Sequence, residues 1–206
     1  MPEDEDTSVL DLEIRRKIFH HISRSPGLHE RELARELHLP MSTLGYHLYC
    51  LKKSKLIMPK TDGRYTRYYI MGKLGVMDKK ILGLLRQKTP RKIIMFLLLH
   101  PNATHREICE HLQLSPATTT FHLQKLIRAE IIESKQLGRE KSYTILDSEY
   151  TSKVLITYRR SFVDSAVDTF IDTWFEINPD HIHTKKSQTK EKKKNPRFLF
   201  FLFGTS

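Results

Sequence analysis

Cysteine is scarce in this chain. Cys50 and Cys109 are the two present in 206 residues, too few for a disulfide framework or a four-Cys metal site, and they fit a reducing cytoplasm. Long apolar runs are missing as well. The longest, Ile93 to Leu99, has seven residues, far short of the ~20 that cross a bilayer as a helix. The opening MPEDEDTSVL is acidic and has no apolar segment, so a secretory signal is not expected. No nucleophile–base pairing, glycine-rich phosphate loop or paired-carboxylate motif is visible, which argues against an enzyme. Histidine is more plentiful, at eleven. His105 and Cys109 lie four apart on one helix face, but no third ligand accompanies them and the counterpart positions Glu30 and Ala34 do not repeat the pair. Neither a metal nor another cofactor is expected.

What the chain has is positive charge. It carries 35 Lys and Arg against 24 Asp and Glu, a net +11 with pI near 9.6. Setting aside the four acids of the PEDED start, and the tail at 184–206 with seven Lys/Arg and one Glu, leaves +9 on the part between. A body that basic favours a polyanionic partner, nucleic acid ahead of an anionic membrane surface.

It also has a repeat. LPMSTLGYHLYCLKK (Leu39 to Lys53) returns as LSPATTTFHLQKLIR (Leu114 to Arg128), a shift of 75 residues. At that offset about a third of residues 16–70 are identical to 91–145, without a gap. Two copies are too few for a solenoid and read as a duplicated domain.

In one copy, Asp11 to Ile22 reads as a helix with Leu10, Ile14, Ile18 and Ile22 along one face. Ser25-Pro26-Gly27 stops it, Glu30 to Leu37 forms a second helix, and Met41 to Lys53 a third. In the second copy Thr104 and Glu107 form a capping box, Ser115 caps the third helix and Pro116 takes its first position. LIMPKTDGRYTRYYI then reads as strand–turn–strand around Asp62-Gly63. Helix, helix-turn-helix and hairpin in that order make a winged helix. The expected fold is mainly α with small β-wings: two tandem winged helix-turn-helix domains plus a long C-terminal helix.

On the third helix Leu44, Leu48 and Leu51 fall within about 60° of one another and face the core. Ser42, Tyr46, Tyr49 and Lys53 point the other way, with Thr43 on the flank. Hydroxyls there suit base edges or phosphates in a major groove, and a solvated face is the plainer alternative. The second copy presents Ala117, Thr118, Phe121, Gln124 and Arg128. Gln124 suits adenine, and Phe121 either a thymine methyl or a protein contact. His47 and His122 recur beside the core stripe and read as packing or phosphate contacts. The wings carry Lys60, Arg64 and Arg67, then Lys135, Arg139 and Lys141, suited to phosphate contact or to blunting an edge strand.

PGLHERELARELHLPMSTLGYHLYCLKK followed by DGRYTRYY resembles archaeal winged-helix regulators related to the ArsR and MarR families. HPNATHREICEHLQLSPATTTFHLQKLIRAEIIESKQLGREKSY resembles the same group. With the closing ITYRRSFVDSAVDTFIDTWFE, the layout resembles two-domain transcriptional regulators of methanogenic archaea over roughly residues 8–177. The resemblance implies promoter binding by the third helix, through Ser42, Thr43, Tyr46 and Tyr49 and, in the second copy, Thr118, Thr119, Thr120 and Gln124. The paired cysteines of metal-sensing ArsR members are absent.

The boundaries follow: winged helix 1 at 8–72, a linker helix at 73–88, winged helix 2 at 89–146, an assembly helix at 147–177, and a basic tail without fixed structure at 178–206. Thr89-Pro90 reads as cap and first position of a helix that is apolar nearly all round and therefore buried on more than one side. The final helix, Ser148 to about Ile177, would be ~45 Å long. Leu155, Tyr158, Phe162, Phe170 and Trp174 on it are the expected homodimer contacts. The tail adds nonspecific DNA affinity, and its apolar end, RFLFFLF, has no assigned role. Double-stranded DNA is the expected partner, with no membrane span and no small-molecule substrate or ligand pocket in view. Three functions remain open: a site-specific regulator, an architectural protein of low specificity, and a winged-helix adaptor of the transcription machinery.

Overall fold

The structure is a computed structural model that describes residues 12–138, 140–162 and 164–179. The first winged unit consists of α1 (Glu13–Arg24), α2 (Glu30–Leu37), α3 (Met41–Lys53), β1 (Ile57–Asp62) and β2 (Tyr65–Ile70). A connecting helix, α4 (Val76–Leu85), leads to the second: α5 (Lys88–Leu99), β3 (Ala103–Thr104), α6 (His105–Leu112), α7 (Pro116–Arg128), β4 (Ile132–Leu137) and β5 (Glu140–Ile145). α8 (Ser148–Thr157), a 3-10 turn (Arg159–Ser161) and α9 (Ser165–Ile177) follow.

The duplication extends to single backbone angles. Each of the five long elements of the first unit returns 75 residues on with the same two ends. The left-handed residues return too: Gly27 and Asn102 (φ 83° and 66°), His38 and Gln113 (both 53°), Lys55 and Glu130 (55° and 58°), Gly63 and Gly138 (61° and 60°). His38 and Gln113 end α2 and α6 in the αL conformation that closes a helix and starts the tight turn. One difference is a strand. Ala103 and Thr104 pair with Tyr143 and Ser142, whereas the first unit has a lone bridge, His29 to Arg67, at the matching place.

The first core forms from Ile18 and Ile22 of α1, Leu33 of α2, the Leu44–Leu48–Leu51 stripe of α3, and Ile57 of the wing, all buried. Each such side chain contributes about 1.5–3 kcal/mol by leaving water. α5 buries Ile93 to Leu98 without a break, as its uniformly apolar sequence requires. It starts at Lys88, however, with Gln87 as an N-cap that makes no side-chain bond. Pro90 sits inside the first turn, where the amides need no intrahelical partner anyway.

Both winged units belong to one compact body, and α9 belongs to another. α4 is more than a linker: Ile81 to Leu85 are buried, and it packs on α5 and α8. The Tyr150 hydroxyl of α8 donates to Asp78 of α4, which pushes its pKa up to about 12.

The single long C-terminal helix is not what forms. The chain leaves helical geometry at Tyr158, whose carbonyl accepts from the Ser161 hydroxyl at 2.6 Å and the Ser161 amide at 2.9 Å. α9 restarts on Asp164, whose side chain accepts from the Ala166 amide at 3.2 Å. Ser161 and Asp164 are stop-and-cap residues that the three-and-four apolar spacing runs straight across. Arg86, at the end of α4, fixes the break. It donates to the Ser161 carbonyl and hydroxyl and, from two of its nitrogens, to the Pro26 carbonyl at 3.0 and 3.1 Å. Burial lowers its pKa to about 10, which leaves it charged. Arg86 and Arg91 both lie over the Phe162 ring, at 4.9 and 5.7 Å. The tail expected from 178 onward, its apolar end included, lies outside the described residues beyond 179. No described helix is long and apolar enough to cross a membrane.

Candidate nucleic-acid interface

Two helix-turn-helix frames present the candidate surface, and local chemistry sets each. Thr104 and Glu107 form the expected box: the Thr104 amide donates to Glu107 at 2.7 Å and the Glu107 amide to the Thr104 hydroxyl at 3.3 Å. In the first unit a histidine fills the threonine's place, with His29 Nδ1 accepting from the Glu32 amide at 3.3 Å. Ser115 caps α7 at the Thr118 amide, with Pro116 in the first position. α3 follows Pro40 and has no side-chain cap.

α3 turns Ser42, Tyr46, Tyr49 and Lys53 outward together, the two tyrosines 60% and 63% exposed, with Thr43 half-buried at the flank. Gly45 of this helix faces Glu30 of α2. A Cβ there would stand 3.4 Å from Glu30 Oε1. The second unit has Thr120 at the matching position, and its hydroxyl meets His105 Nε2 at 3.0 Å. On α7, Thr120, Gln124 and Arg128 are exposed beside Ala117, and Phe121 is 63% exposed. Thr118 is half-buried, with its hydroxyl on Ser115 at 2.8 Å.

Three expected contacts face inward. Thr119 is fully buried, and its hydroxyl accepts from the Cys109 thiol at 3.3 Å. It occupies the place of Leu44, while Cys109 occupies that of Ala34, so a polar core residue arrives with a partner 75 residues from an apolar pair. Arg67 is 3% exposed and donates to the Gly27 carbonyl at 2.8 Å and to Asp62 at 3.2 Å. Strand alternation puts it on the inner face with Tyr69. His47 is buried, and its Nδ1 has no hydrogen-bond partner, as is true of His122. Burial lowers the pKa of both, with Arg15 adding to the effect at His47 and Lys125 at His122.

At the first wing Arg64 is exposed beside Gly63, and Tyr65 stacks on His29 at 4.8 Å. Tyr65 is a surface aromatic beside the first helix-turn-helix frame that spacing did not single out; its outward place in the strand was the available signal. Lys60 is half-buried against α4. In the second wing Lys141 is exposed and Lys135 pairs with Glu133 at 2.7 Å, while Arg139 lies outside the described residues.

Of the expected dimer contacts, Leu155 and Phe162 are used within the first body. Leu155 is fully buried, Phe162 lies under Arg86 and Arg91, and Tyr158 is half-buried. In α9, Phe170 and Trp174 stack at 5.8 Å and are themselves buried. His105 and Cys109 do approach, at 3.6 Å between Nδ1 and Sγ, but no group of three metal-binding side chains exists among the described residues.

Residues 77–133 match the family model for winged helix-turn-helix DNA-binding domains. The chain is 37% identical over 146 residues to the HTH-type transcriptional regulator MJ1398 of Methanocaldococcus jannaschii, which covers 70% of this chain. The chain spans only about a third of that relative's length, 36%. Among solved structures, HlyU from Vibrio cholerae is similar at 20% identity and a TM-score of 0.38, over 43% of this chain and 96% of its own. MepR, a transcription regulator of the Staphylococcus aureus multidrug efflux pump MepA, is similar at 17% identity and a TM-score of 0.32, over 62% of this chain and 90% of its own.

Proposed function

We propose, from the match of residues 77–133 to winged helix-turn-helix DNA-binding domains and the 37% identity to an HTH-type regulator over 146 residues, that this chain is a transcriptional regulator that recognises specific sites in double-stranded DNA and controls transcription from them. The observation that carries this reading is the exposed Ser42–Tyr46–Tyr49–Lys53 face of α3, standing clear of the core with Arg64 at the neighbouring wing tip. Hydroxyls and tyrosine edges suit base edges in a major groove, and Lys53 and Arg64 suit the flanking phosphates. α7 presents a second, more apolar face of Thr120, Phe121, Gln124 and Arg128, and Thr43 and Thr118 border the two faces. His47, Arg67 and Thr119 support these helices from inside and do not touch DNA.

Selecting bound fragments from random genomic DNA tests the proposal. A shared sequence element in the recovered fragments supports a regulator. Recovery without sequence bias indicates an architectural protein, and no recovery an adaptor that docks on other proteins.

A homodimer built on Leu155, Tyr158, Phe162, Phe170 and Trp174 finds little support in side chains already buried in one chain. One chain with two recognition helices is already a bivalent reader, and a monomer is the reading we favour. Light scattering decides: the mass of one chain, 24.3 kDa, is expected, and twice that mass restores the homodimer.

A further inference from the structure

A cleft of about 270 Å³ lies where the two winged units meet, between the turn end of the first wing, α4 and the end of α7. Five cations line it, Lys60, Lys79, Lys80, Lys125 and Arg128, together with one carboxylate, Asp62. That carboxylate is already occupied. It accepts from Arg67 at 3.2 Å and Gln87 at 3.0 Å and faces Lys125 at 3.6 Å. Lys80 is held at 2.8 Å by Glu130, an exposed residue. Among the described residues Lys60, Lys79 and Arg128 form no ion pair, so three positive charges share one recess with a single carboxylate, Asp62, that is already bonded elsewhere. The crowding is felt at Lys60, whose pKa is lowered by burial first and then by Lys80 and Lys79.

The recess is also shaped. Gly83 and Leu84 of α4 and Ala129 after α7 give it a small apolar floor. Gly83 is buried at that floor. A Cβ at that position would find its nearest neighbours at 3.6 to 3.8 Å, ordinary contact distances. Ligand pockets run from roughly 300 to 1,000 Å³ and combine an apolar lining with a few placed polar groups. This one falls just below that range, with an excess of cations at its walls.

We propose that this cleft binds a small phosphorylated metabolite carrying two or more negative charges, with the phosphate held by Lys60, Lys79 and Arg128 and its non-polar part over Gly83 and Leu84. A multiply charged anion answers the three unpaired cations better than a monocarboxylate does. A duplex displays its phosphates on a convex surface, which suits a recess walled on three sides less well than a free anion. The site joins the first wing to the second recognition helix. If the proposed DNA reading holds, an anion there biases how the two readers are held and changes DNA affinity, with reciprocal coupling.

The test is calorimetric titration of the full chain with inorganic pyrophosphate at constant ionic strength, with sulfate as control and no DNA present. Saturable one-to-one binding that sulfate does not reproduce is expected. Lys60→Gln with Lys79→Gln should weaken it at least about tenfold, since each removes a charge-assisted bond. Both lysine side chains are partly exposed, so the double variant should keep the fold and the comparison with the parent decides. The same lysine pair should alter affinity for a random duplex by less than about threefold. The idea is overturned if pyrophosphate binds no better than sulfate, or if the lysine variant binds it as the parent does. It is equally overturned if random-duplex affinity falls in parallel, because the cations then belong to a DNA phosphate track.

Discussion

The Lys125 ammonium, in the last turn of α7, lies 3.6 Å from the Asp62 carboxylate at the turn of the first wing and 2.8 Å from the side-chain oxygen of Gln87. Asp62 thereby ties the first wing to α7, and it does so while neutralising Arg67. One carboxylate thus links the two winged units.

Unequal costs follow for the members of that group. Asp62→Ala leaves the Arg67 guanidinium buried with the Gly27 carbonyl as its remaining acceptor, and should cost about 3–5 kcal/mol, as breaking a buried pair does. Lys125 is partly exposed, so Lys125→Ala should cost about 1 kcal/mol or less. Urea unfolding of both variants checks the ranking. Equal costs would mean that Arg67 does not depend on Asp62.

Arg86 should behave as a structural clamp. Arg86→Met removes the donors that satisfy the Pro26 and Ser161 carbonyls, and about 2–4 kcal/mol of stability should go with them. Arg86→Lys should recover little, because a single ammonium cannot reach two carbonyls and a hydroxyl from one plane. Thermal unfolding of the pair measures this.

Reading and supporting residues should separate in binding assays. Tyr46→Ala should relax sequence preference by about 1–3 kcal/mol at one position, while Arg64→Ala should weaken all sequences alike and lower the salt slope by about one. Thr119→Val should leave DNA affinity unchanged and shift stability by about 1 kcal/mol or less, since the hydroxyl is inside and bonded to a thiol. Competition binding at several salt concentrations, with unfolding curves for Thr119→Val, reads all three.

Acid should loosen the fold before carboxylates titrate. His29, His47 and His122 all have pKa values lowered below 6.5, with burial as the first cause in each. The unfolded chain therefore takes up protons near pH 6.5 that the folded chain refuses. Stability should fall as pH drops through 6.5 and level off below the folded-state values. His47→Gln with His122→Gln should flatten that slope; an unchanged slope in urea midpoints between pH 7 and 5 would assign it elsewhere.

The duplication was legible in the sequence, and with it the ends of α2 and α3 and the start of α7, because capping residues, Gly63 and Gly138 and the leucine stripe all act locally. α1, at Glu13–Arg24 rather than Asp11 to Ile22, and the start of α5, at Lys88 rather than after Thr89, were misplaced. Thr119 was misread as a reader although the offset itself set it opposite Leu44; a threonine in a polar run looks exposed unless its partner Cys109 is known. Arg67 was misread for a similar reason, since charge at a wing suggests phosphate while strand alternation pointed inward. The break at Tyr158–Asp164 was hidden by apolar spacing that continues across it, and Arg86, which holds the break, lies far away in sequence. The cleft was beyond reach from sequence, because its cations come from three separate elements that only tertiary packing brings together.

The central claim is that the α3 face reads sequence. Its most direct measurement is competition binding at physiological salt, with a fragment recovered by genomic selection set against excess random duplex. Retention of that fragment by the parent chain and its loss to competitor in Tyr46→Ala is the predicted result. Displacement by random DNA at equal mass, or a Tyr46→Ala variant as selective as the parent, would contradict the account.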